Sequence, residues 1–356
     1  MRTESQRGRR SARTASPKHE RKLVDAARRG DKDAFGRLVA PYRAELHAHC
    51  YRMLGSFQDA EDALQDALLR AWRGLPEFES RSSLHSWLYK IATNACLTAI
   101  ERRPKRVLPI DYAPAADPHD GPAEPVMESL WLEPYPDQRL GLEGVLLGPD
   151  ARYEQREAVE LAFIAALQHV PARQRAVLIL RDVLGYTARE TAEALDTTPV
   201  SVDSALQRAH KTVSERLPKQ TQQATLRSLD DAVLNEIVER FVAAWESNDV
   251  DALVAMLTED ARMTMPPLPS WYRGREPVAS FLRGLPLSNE KRWQLVPSSA
   301  NAQLAFGGYT WDEETGVFTL HDLIVLTLRG ALIEEVTAFL TPQAFPPFGL
   351  PDRIAA

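Results

Sequence analysis

The sequence predicts a multidomain protein in which two all-α domains precede an α+β domain. Apolar residues recur at helical spacing from about residue 20 to 103 and again from about 152 to 217. Between these stretches the chain is rich in proline, aspartate and alanine and shows no sustained periodicity. After residue 230, two helical segments lead into strand-like runs such as RWQLVPS and VFTLHDLIVLTLRG. A chain of 356 residues has room for two or three such domains.

These changes in composition divide the chain into seven segments. They are a basic tail (1–20), a first helical domain (21–104), a linker (105–151), a second helical domain (152–218), a short linker (219–230), an α+β domain (231–345) and a C-terminal tail (346–356). The basic tail is rich in Arg and Ser, so it is either a disordered extension or a segment that contacts nucleic acid.

Charge is distributed unevenly along the chain. The net charge of −6 divides into +3 for residues 1–229 and −9 for residues 230–356. Residues 1–229 can therefore approach phosphates, whereas residues 230–356 would repel them. No apolar run reaches the roughly 18 residues of a membrane span, and no apolar stretch follows the basic tail to form a secretory signal. Cys50 and Cys96 lack metal-binding spacing, which favours reduced core thiols of a cytoplasmic protein over a redox switch.

The segment DAEDALQDALLRAWR is the clearest amphipathic helix. Its opposite face carries aspartates early and arginines late, an order that suits the helix macrodipole. By itself this charged face is either simply solvated or a docking surface. The apolar positions follow the i, i+3, i+4, i+7 rule at Ala60, Ala63, Leu64, Ala67, Leu68, Ala71 and Trp72.

The next predicted helix runs through the segment LHSWLYKIATNACLTAI. Ser82 or Ser83 is suited to cap its N-terminus, and Pro104 stops the chain from continuing as a helix. Lys90 and Asn94 fall off the apolar stripe of this helix.

A polar loop, FESRSS, precedes this helix and contains Arg81. Hydroxyls beside a basic helix that bears aromatic residues can hold an unstacked base and its backbone. Trp87 and Tyr89 could equally be packing residues, so the loop alone does not decide between the two interpretations.

Three segments in order, AFGRLV, DAEDALQDALLRAW and FESRSSLHSWLYKIATNACLTAIERR, resemble domain 2 of the extracytoplasmic-function sigma factors. Such proteins are the subunits with which bacterial RNA polymerase recognises and opens promoters. The resemblance implies a surface that faces the clamp helices of the polymerase β′ subunit, formed by Asp62, Gln65, Asp66 and Leu69. It also implies a site for the melted −10 strand and nearby phosphates, formed by Arg81, Ser82, Lys90, Asn94, Arg102 and Arg103.

The run PARQRAVLILRDVLGYTARETAEALDTTPVSVDSALQRAHKTVSERL has the punctuation of a helix–turn–helix. Gly185 follows an apolar helix at the position where a C-terminal glycine is expected. Thr187 and Glu190 form a capping box at the start of a short helix. After a turn, Thr198 is suited to cap the last helix, and Pro199 is suited to its first position.

The last helix carries a polar stripe opposite its apolar one. Gln and Arg side chains can read adenine and guanine edges, while Lys and Ser suit phosphates. The pattern favours a recognition helix in the major groove over a helical hairpin with a solvated face. The polar stripe is formed by Ser201, Ser204, Gln207, Arg208 and Lys211.

This second segment resembles sigma domain 4, whose recognition helix reads the −35 element and which binds the polymerase β flap. Asp203 departs from the pattern, because many relatives have a basic or amide residue there; it could accept from a cytosine amino group or weaken a phosphate contact. No domain 3 is recognisable between the two helical domains. In the family the linker takes its place and threads toward the polymerase active-site cleft.

The segment MTMPPLPSWYRGREPVASFL resembles the SnoaL-like members of the nuclear-transport-factor-2 superfamily, in which a curled sheet and helices close a conical pocket. The pocket candidates are Trp271, Tyr272 and His321. Because His321 and Asp322 are neighbours on a predicted strand, alternation should point them to opposite faces, which argues against a catalytic pair. Ligand binding or an intramolecular regulatory contact is expected here, ahead of a purely structural appendage and of catalysis.

The combined pattern predicts an extracytoplasmic-function sigma factor with a SnoaL-like C-terminal domain, in the cytoplasm, without catalytic residues, metal or cofactor. Its expected partners are core RNA polymerase and promoter DNA, without a membrane. The acidic C-terminal domain is expected to contact domain 2 or the linker and so to modulate activity. The alternatives are a stand-alone helix–turn–helix regulator and a SnoaL-like enzyme with a vestigial sigma region.

Overall fold

The structure, a computed structural model, describes residues 17–78, 83–127, 130–140, 156–288, 291–342 and 345–355. The chain divides into two compact units. The helical unit comprises residues 1–105 and 138–217, and the sheet unit comprises residues 106–137 and 218–356. The basic tail predicted for residues 1–20 lies, up to residue 16, outside the described residues.

The helical unit contains two sets of helices that correspond to the two predicted helical domains. The first set is α1 (Pro17–Arg28), α2 (Lys32–Val39), α3 (Arg43–Leu54), α4 (Phe57–Gly74) and α5 (Leu84–Ile100). The second set is α6 (Leu161–Gln168), α7 (Ala172–Leu178), α8 (Ala188–Ala194) and α9 (Pro199–Ser214), with a π-helical turn after α7 at Ile179–Val183.

Helix caps in the helical unit confirm the predicted helix starts. The hydroxyl of Ser83 accepts from a backbone N–H at 3.1 Å and caps α5. Thr187 and Glu190 form the reciprocal capping box of α8. Thr198 caps α9, and Pro199 stands at its first position. Each such cap accepts a hydrogen bond from a first-turn N–H group that has no acceptor within the helix. This stabilises the fold by about 1 kcal/mol.

Helix α4 buries the stripe predicted for it and so turns its charged face outward. Its neighbours are α3 and α5. Trp72 is half-buried and packs edge-on against Phe35, with ring centroids 5.1 Å apart. Each leucine buried in this way contributes roughly 1.5–3 kcal/mol of apolar burial. The buried members of the stripe are Ala60, Ala63, Leu64, Ala67, Leu68 and Ala71.

The sheet unit is built on one sheet with the strand order β2-β1-β6-β5-β4-β3, while β7 pairs with β5. Strands β1 and β6 run parallel, and the other pairs are antiparallel. The strands are β1 (Leu257–Thr264), β2 (Trp271–Arg273), β3 (Trp293–Ala300), β4 (Gln303–Asp312), β5 (Val317–Arg329), β6 (Leu332–Phe339) and β7 (Arg353–Ile354). The helices are α10 (Gln222–Ser228), α11 (Asp231–Glu246), α12 (Val250–Ala255) and α13 (Arg275–Gly284).

One face of the sheet carries the apolar core of this unit. The rings of Tyr272 and Phe281 are stacked at 4.5 Å, and Trp245 meets Trp293 edge-on at 5.9 Å. All four belong to a single buried cluster that α11, α12 and α13 share with β1, β2, β3, β4, β5 and β6. The space between helices and sheet is therefore occupied by large apolar side chains.

The first part of the predicted linker belongs to the sheet unit. Asn301 and Ala302 both adopt left-handed backbone at the turn between β3 and β4, with φ of 55° and 56°. Asn301 donates its backbone N–H to the carbonyl of Tyr135 at 2.8 Å and accepts the backbone N–H of Tyr135 on Oδ1 at 2.9 Å. The N–H of Ala302 is bound by the carboxylate of Asp137 at 2.8 Å. The β3–β4 turn thus holds this end of the linker.

The C-terminal tail predicted for 346–356 also contributes to the sheet. Ile354 pairs with Phe318 of β5, which adds β7 to the end of that strand. Leu350 is buried and lies against Gly307, whose missing side chain leaves it room.

We expect Gly308→Ala to lower the free energy of unfolding of the sheet unit by about 1–3 kcal/mol. Gly308 pairs with Asp322, and an added methyl group would overlap the carboxylate of Asp322, which is 3% exposed and cannot move into solvent. Urea denaturation followed by circular dichroism measures the loss. Gly284→Ala is the control, because no atom lies within 4 Å of a Cβ added there. Equal urea midpoints for the two variants would contradict this packing.

Candidate functional site

The outward face of α4 presents a compact row of polar and apolar side chains. Asp62, Gln65, Asp66 and Leu69 stand at i, i+3, i+4 and i+7, so they share one face. Asp62 and Gln65 are exposed, and Leu69 is 55% exposed although it is a large apolar residue. A leucine exposed within a row of polar residues is suited to insert into a partner protein.

A cavity of about 350 Å³ lies between α4 and α5. Phe78 and Trp87 form an aromatic wall, with ring centroids 4.8 Å apart and an interplanar angle of 33°. Asn94 and Arg70 supply an amide and a guanidinium to the lining. An aromatic wall beside hydrogen-bonding groups is the arrangement that holds an unstacked nucleobase. The predicted contacts Arg81 and Ser82, from the preceding loop, lie outside the described residues.

Lys90, which the resemblance to sigma domain 2 places at the −10 strand, is bound to the helix–turn–helix. Its ammonium donates to the carboxylate of Asp196 at 2.7 Å and to the carbonyl of Glu193 at 3.0 Å. Asp196 has a left-handed φ of 50° in the turn between α8 and α9. The two predicted helical domains therefore meet through a residue expected to contact the −10 strand.

Aromatic packing continues this contact within the helical unit. Tyr186 hydrogen-bonds His85 at 3.2 Å between its hydroxyl and Nδ1, and its ring meets that of Tyr89 edge-on at 6.2 Å. Tyr89 is only 2% exposed. Of the two roles that the sequence left open for Tyr89, packing is the one that the structure shows.

A buried arginine joins the two sets of helices from the other side. Arg175 of α7 donates to Gln168 Oε1 at 2.5 Å, to the carbonyl of Val170 at 3.1 Å and to the carbonyl of Met53 at the end of α3. Burial lowers the pKa of Arg175 to about 10, which still leaves it charged at neutral pH. Arg52 adds a second link, from its Nε to the carbonyl of Ala158 at 3.0 Å.

Arg103, predicted to contact a phosphate, is ion-paired to α4. Its guanidinium binds the carboxylate of Asp59 and lies 3.3 Å from that of Asp62. Arg102 is exposed beside it. Asp62 thus takes part in two predicted surfaces, the polymerase-facing row and the phosphate contact.

The polar stripe of α9 faces solvent along its whole length. The apolar stripe is anchored by Val202, Ala209 and Val213, which are buried. The sequence analysis did not single out Val200, which is 77% exposed at the start of the helix. Its apolar side chain on the polar side of the helix was the feature that could have marked it as a contact residue. All five predicted contacts are exposed: Ser201, Ser204, Gln207, Arg208 and Lys211.

The pocket candidates of the sheet unit do not converge. Trp271 and Tyr272 are neighbours in β2 and point to opposite faces. Tyr272 is fully buried in the apolar core, whereas the indole N–H of Trp271 donates to the linker carbonyl of Ala113 at 2.7 Å. The side chain of His321 is 42% exposed and lies edge-on to Trp293.

The expectation that His321 and Asp322 point to opposite faces is wrong. A bulge pairs Gly308 with Asp322 but Tyr309 with Leu320, so His321 is an extra residue in β5 and the alternation is lost there. His321 Nδ1 lies 3.2 Å from Asp322 Oδ2. The two side chains therefore form a contact pair.

Family models match three parts of the chain. Sigma-70 region 2 matches residues 38–106, Sigma-70 region 4 matches residues 154–213, and a SnoaL-like domain matches residues 238–336. Over 330 residues, the chain is 41% identical to ECF RNA polymerase sigma factor SigG of Mycobacterium tuberculosis, which covers 92% of this chain and 86% of the relative. The chain belongs to the extracytoplasmic-function sigma factors. It binds core RNA polymerase and directs transcription initiation at promoters.

Other relatives agree with this family. The sigma factor is 29% identical over 203 residues to ECF RNA polymerase sigma factor SigM of Mycobacterium tuberculosis, which covers 56% of this chain and 87% of the relative. The crystal structure of the Mycobacterium tuberculosis extracytoplasmic function sigma factor SigJ has the same fold, with a TM-score of 0.54 and 22% identity. It covers 87% of this chain and 97% of that one.

Region 2 of this sigma factor contains buried histidines that stay neutral. Burial lowers the pKa of His49 to about 3 and that of His47 to about 4. His49 is fully buried and contacts the hydroxyl of Thr93 through Nε2 at 2.9 Å.

In the part of the chain that the structure describes, no helix is long and apolar enough to cross a bilayer.

We expect the sigma factor to lose stability as the pH falls below about 6.5. The unfolded chain takes up protons on His47 and His49 near the ordinary histidine pKa, whereas the folded chain does not until about pH 4 and 3. At pH 5 each of the two histidines costs about 2 kcal/mol. Urea unfolding followed by far-ultraviolet circular dichroism at several pH values measures this loss.

His49→Gln should flatten the pH dependence, because it removes one of the two titrating groups. His210→Gln is the matched control, since His210 is exposed on α9. A pH dependence that is equally steep in both variants would show that His49 does not carry the effect.

Proposed function

We propose that this sigma factor binds core polymerase through the outward face of α4, captures an unpaired −10 base between α4 and α5, and reads the −35 element with α9. The observation that carries this assignment is the cavity lined by Phe78, Trp87 and Asn94 in region 2. Unstacking a base costs a few kcal/mol, and stacking and hydrogen bonds in such a cavity offset it. Promoter melting then needs no catalytic residue.

The exposed stripe of α9 supports duplex reading. Gln207 and Arg208 are suited to base edges, and Lys211 to a phosphate. Val200 adds an apolar contact of the kind that recognises a thymine methyl group. Asp203 is exposed beside them, where it selects against close phosphate approach or accepts from cytosine.

We expect Leu69→Ala to weaken binding of core polymerase by about 10-fold or more, because a central apolar anchor typically contributes about 2 kcal/mol. Fluorescence anisotropy with purified core measures the affinity, and run-off transcription measures its consequence. Leu332→Ala is the matched control, since Leu332 is an exposed leucine of the sheet unit. If both variants bind core equally well, the α4 face is not the docking surface.

The contact of Lys90 with Asp196 would make DNA binding by region 2 depend on polymerase. Lys90 cannot serve a DNA phosphate while its ammonium is held by Asp196 and by the carbonyl of Glu193. In this proposal, core polymerase separates regions 2 and 4 and so frees Lys90 for the −10 strand. A stand-alone helix–turn–helix regulator would have no such requirement.

We expect Asp196→Asn to raise the affinity of the free sigma factor for a single-stranded −10 oligonucleotide by about two- to five-fold. Both side chains of the pair are at least 36% exposed, so the pair contributes at most about 1 kcal/mol. Asparagine suits the left-handed φ of residue 196, which leaves the turn unstrained. Anisotropy of a labelled oligonucleotide measures the change.

Glu193→Ala is the control for this variant, because Glu193 contacts Lys90 only through its backbone carbonyl. Its side chain pairs with Arg189 instead. Unchanged oligonucleotide affinity in Asp196→Asn would show that the ion pair does not limit access to Lys90.

The sheet unit acts by holding the linker. Trp271 makes two hydrogen bonds to the linker: its indole N–H donates to the carbonyl of Ala113 at 2.7 Å, and its backbone carbonyl accepts the N–H of Ala116 at 2.8 Å. Ser270 accepts the backbone N–H of Ala123 at 2.8 Å. A linker bound in this way is not free to enter the polymerase cleft, so we assign the C-terminal domain a modulating role.

The C-terminal domain acts as a binding domain rather than an enzyme. Its interior is filled by the core cluster that includes Tyr272 and Trp293. Among the pocket candidates, Trp271 faces the linker and Tyr272 the core, which leaves no shared reaction space for them. The alternative of an enzyme with a vestigial sigma region would predict turnover that survives removal of residues 1–225.

A further inference from the structure

A polar cavity of about 250 Å³ lies on the face of β1 and β2 opposite the apolar core. Met263 and Tyr272 point into the core, so their strand neighbours Arg262 and Arg273 point to the other side. Ile110 of the linker lines the same cavity. The cavity thus lies where the linker covers the sheet, outside the filled interior of the fold.

Two arginines stand directly opposite each other in this cavity. Arg262 pairs with Arg273 across β1 and β2, which places two positive side chains on the same face at an unfavourable separation. Arg262 is neutralised by Glu335, with Nη2 2.8 Å from Oε2. Arg273 is exposed and has no ion-pair partner among the residues that the structure describes. One guanidinium facing the cavity is therefore left without an anion.

The other side of the cavity carries an excess of negative charge. Asp260 and Glu334 both bind the same guanidinium of Arg329, at 3.0 and 2.5 Å. The hydrogen bond from Arg329 lowers the pKa of Asp260 to about 2, so that carboxyl is ionised at neutral pH. Two carboxylates that share one cation keep a net negative charge. Asp111 of the linker adds another carboxyl to the lining.

We propose that this cavity binds a small zwitterion of the amino-acid type. The carboxylate of the ligand would form a bidentate pair with Arg273, and its ammonium would lie against Asp260 and Glu334. Trp271 and Ile110 supply the apolar part of the lining. The volume equals that of about eight water molecules, which suits a molecule of amino-acid size. Nucleotides and other polyanions are disfavoured by Asp260 and Glu334, which share one cation.

Such a ligand would strengthen the hold of the sheet unit on the linker. Ile110 and Asp111 belong to the linker, whereas Arg273 and Asp260 belong to the sheet, so a ligand between them contacts both. Trp271, which lines the cavity, also donates to the linker carbonyl of Ala113 at 2.7 Å. The regulatory consequence rests on the proposed role of the linker, but binding itself does not.

The test uses the full chain, with calorimetric titration and thermal denaturation against the free amino acids as probes. The matched probes are the corresponding amines, the corresponding acids without the amino group, and inorganic phosphate. We expect at least one amino acid to raise the denaturation midpoint by about 3–6 °C at roughly a hundred-fold excess over its Kd. The amine, the acid and phosphate should each bind at least 10-fold more weakly.

Arg273→Gln should weaken that binding at least 10-fold while leaving the unliganded protein at least as stable as before, because it relieves the repulsion with Arg262. Arg240→Gln is the matched control, since Arg240 is exposed on α11 and pairs only with Glu236 among described residues. The proposal is overturned if no amino acid binds, if phosphate alone binds, or if Arg273→Gln binds as the wild type does.

Protease protection separates this site from the proposed function. A bound amino acid should slow cleavage within residues 106–137, and unchanged cleavage would show that the ligand does not bridge the linker and the sheet. Binding that leaves run-off transcription unaffected would contradict the modulating role of the linker while leaving the ligand site intact.

Discussion

The guanidinium of Arg175 is the contact on which the arrangement of the helical unit depends. It is buried, and it donates to Gln168, to Val170 and to the last turn of α3. Removing one partner of such a buried network leaves charged or polar groups without hydrogen bonds, which costs far more than a surface contact. Region 4 is thereby held on region 2 at a position where Asp196 reaches Lys90.

Two of the cations expected to meet DNA are bound by acidic groups of the same unit. Lys90 is paired with Asp196, and Arg103 with Asp59 and Asp62. The Lys90–Asp196 pair is partly exposed and therefore weak enough to be exchanged for a phosphate, whereas the Asp59 side chain that holds Arg103 is only 9% exposed. Asp62 stands in the row expected to face the clamp helices, so docking of that row would engage one of the two carboxylates that contact Arg103. Under the proposed function, core binding and DNA binding are coupled through Asp196 and Asp62.

The sequence predicts the elements of this protein better than their contacts. The stripe of α4, the cap at Ser83 and the capping box of α8 follow from local spacing and are confirmed. The bulge at His321 could not be foreseen, because it arises from the pairing of β4 with β5. The linker is held by hydrogen bonds to the left-handed turn at Asn301 and Ala302, and the pattern of residue types does not predict such backbone contacts. The placement of Lys90 against region 4 depends on tertiary packing in the same way.

The separation of regions 2 and 4 by core polymerase is tested most directly by energy transfer within the intact sigma factor. Dyes on Arg37→Cys and Ser214→Cys, both exposed positions, report the distance between α2 and α9, and the native Cys50 and Cys96 are fully buried. We predict high transfer in the free protein and a clear decrease on saturation with core polymerase, before promoter DNA is added. Transfer that stays unchanged in complexes that initiate transcription would contradict the account.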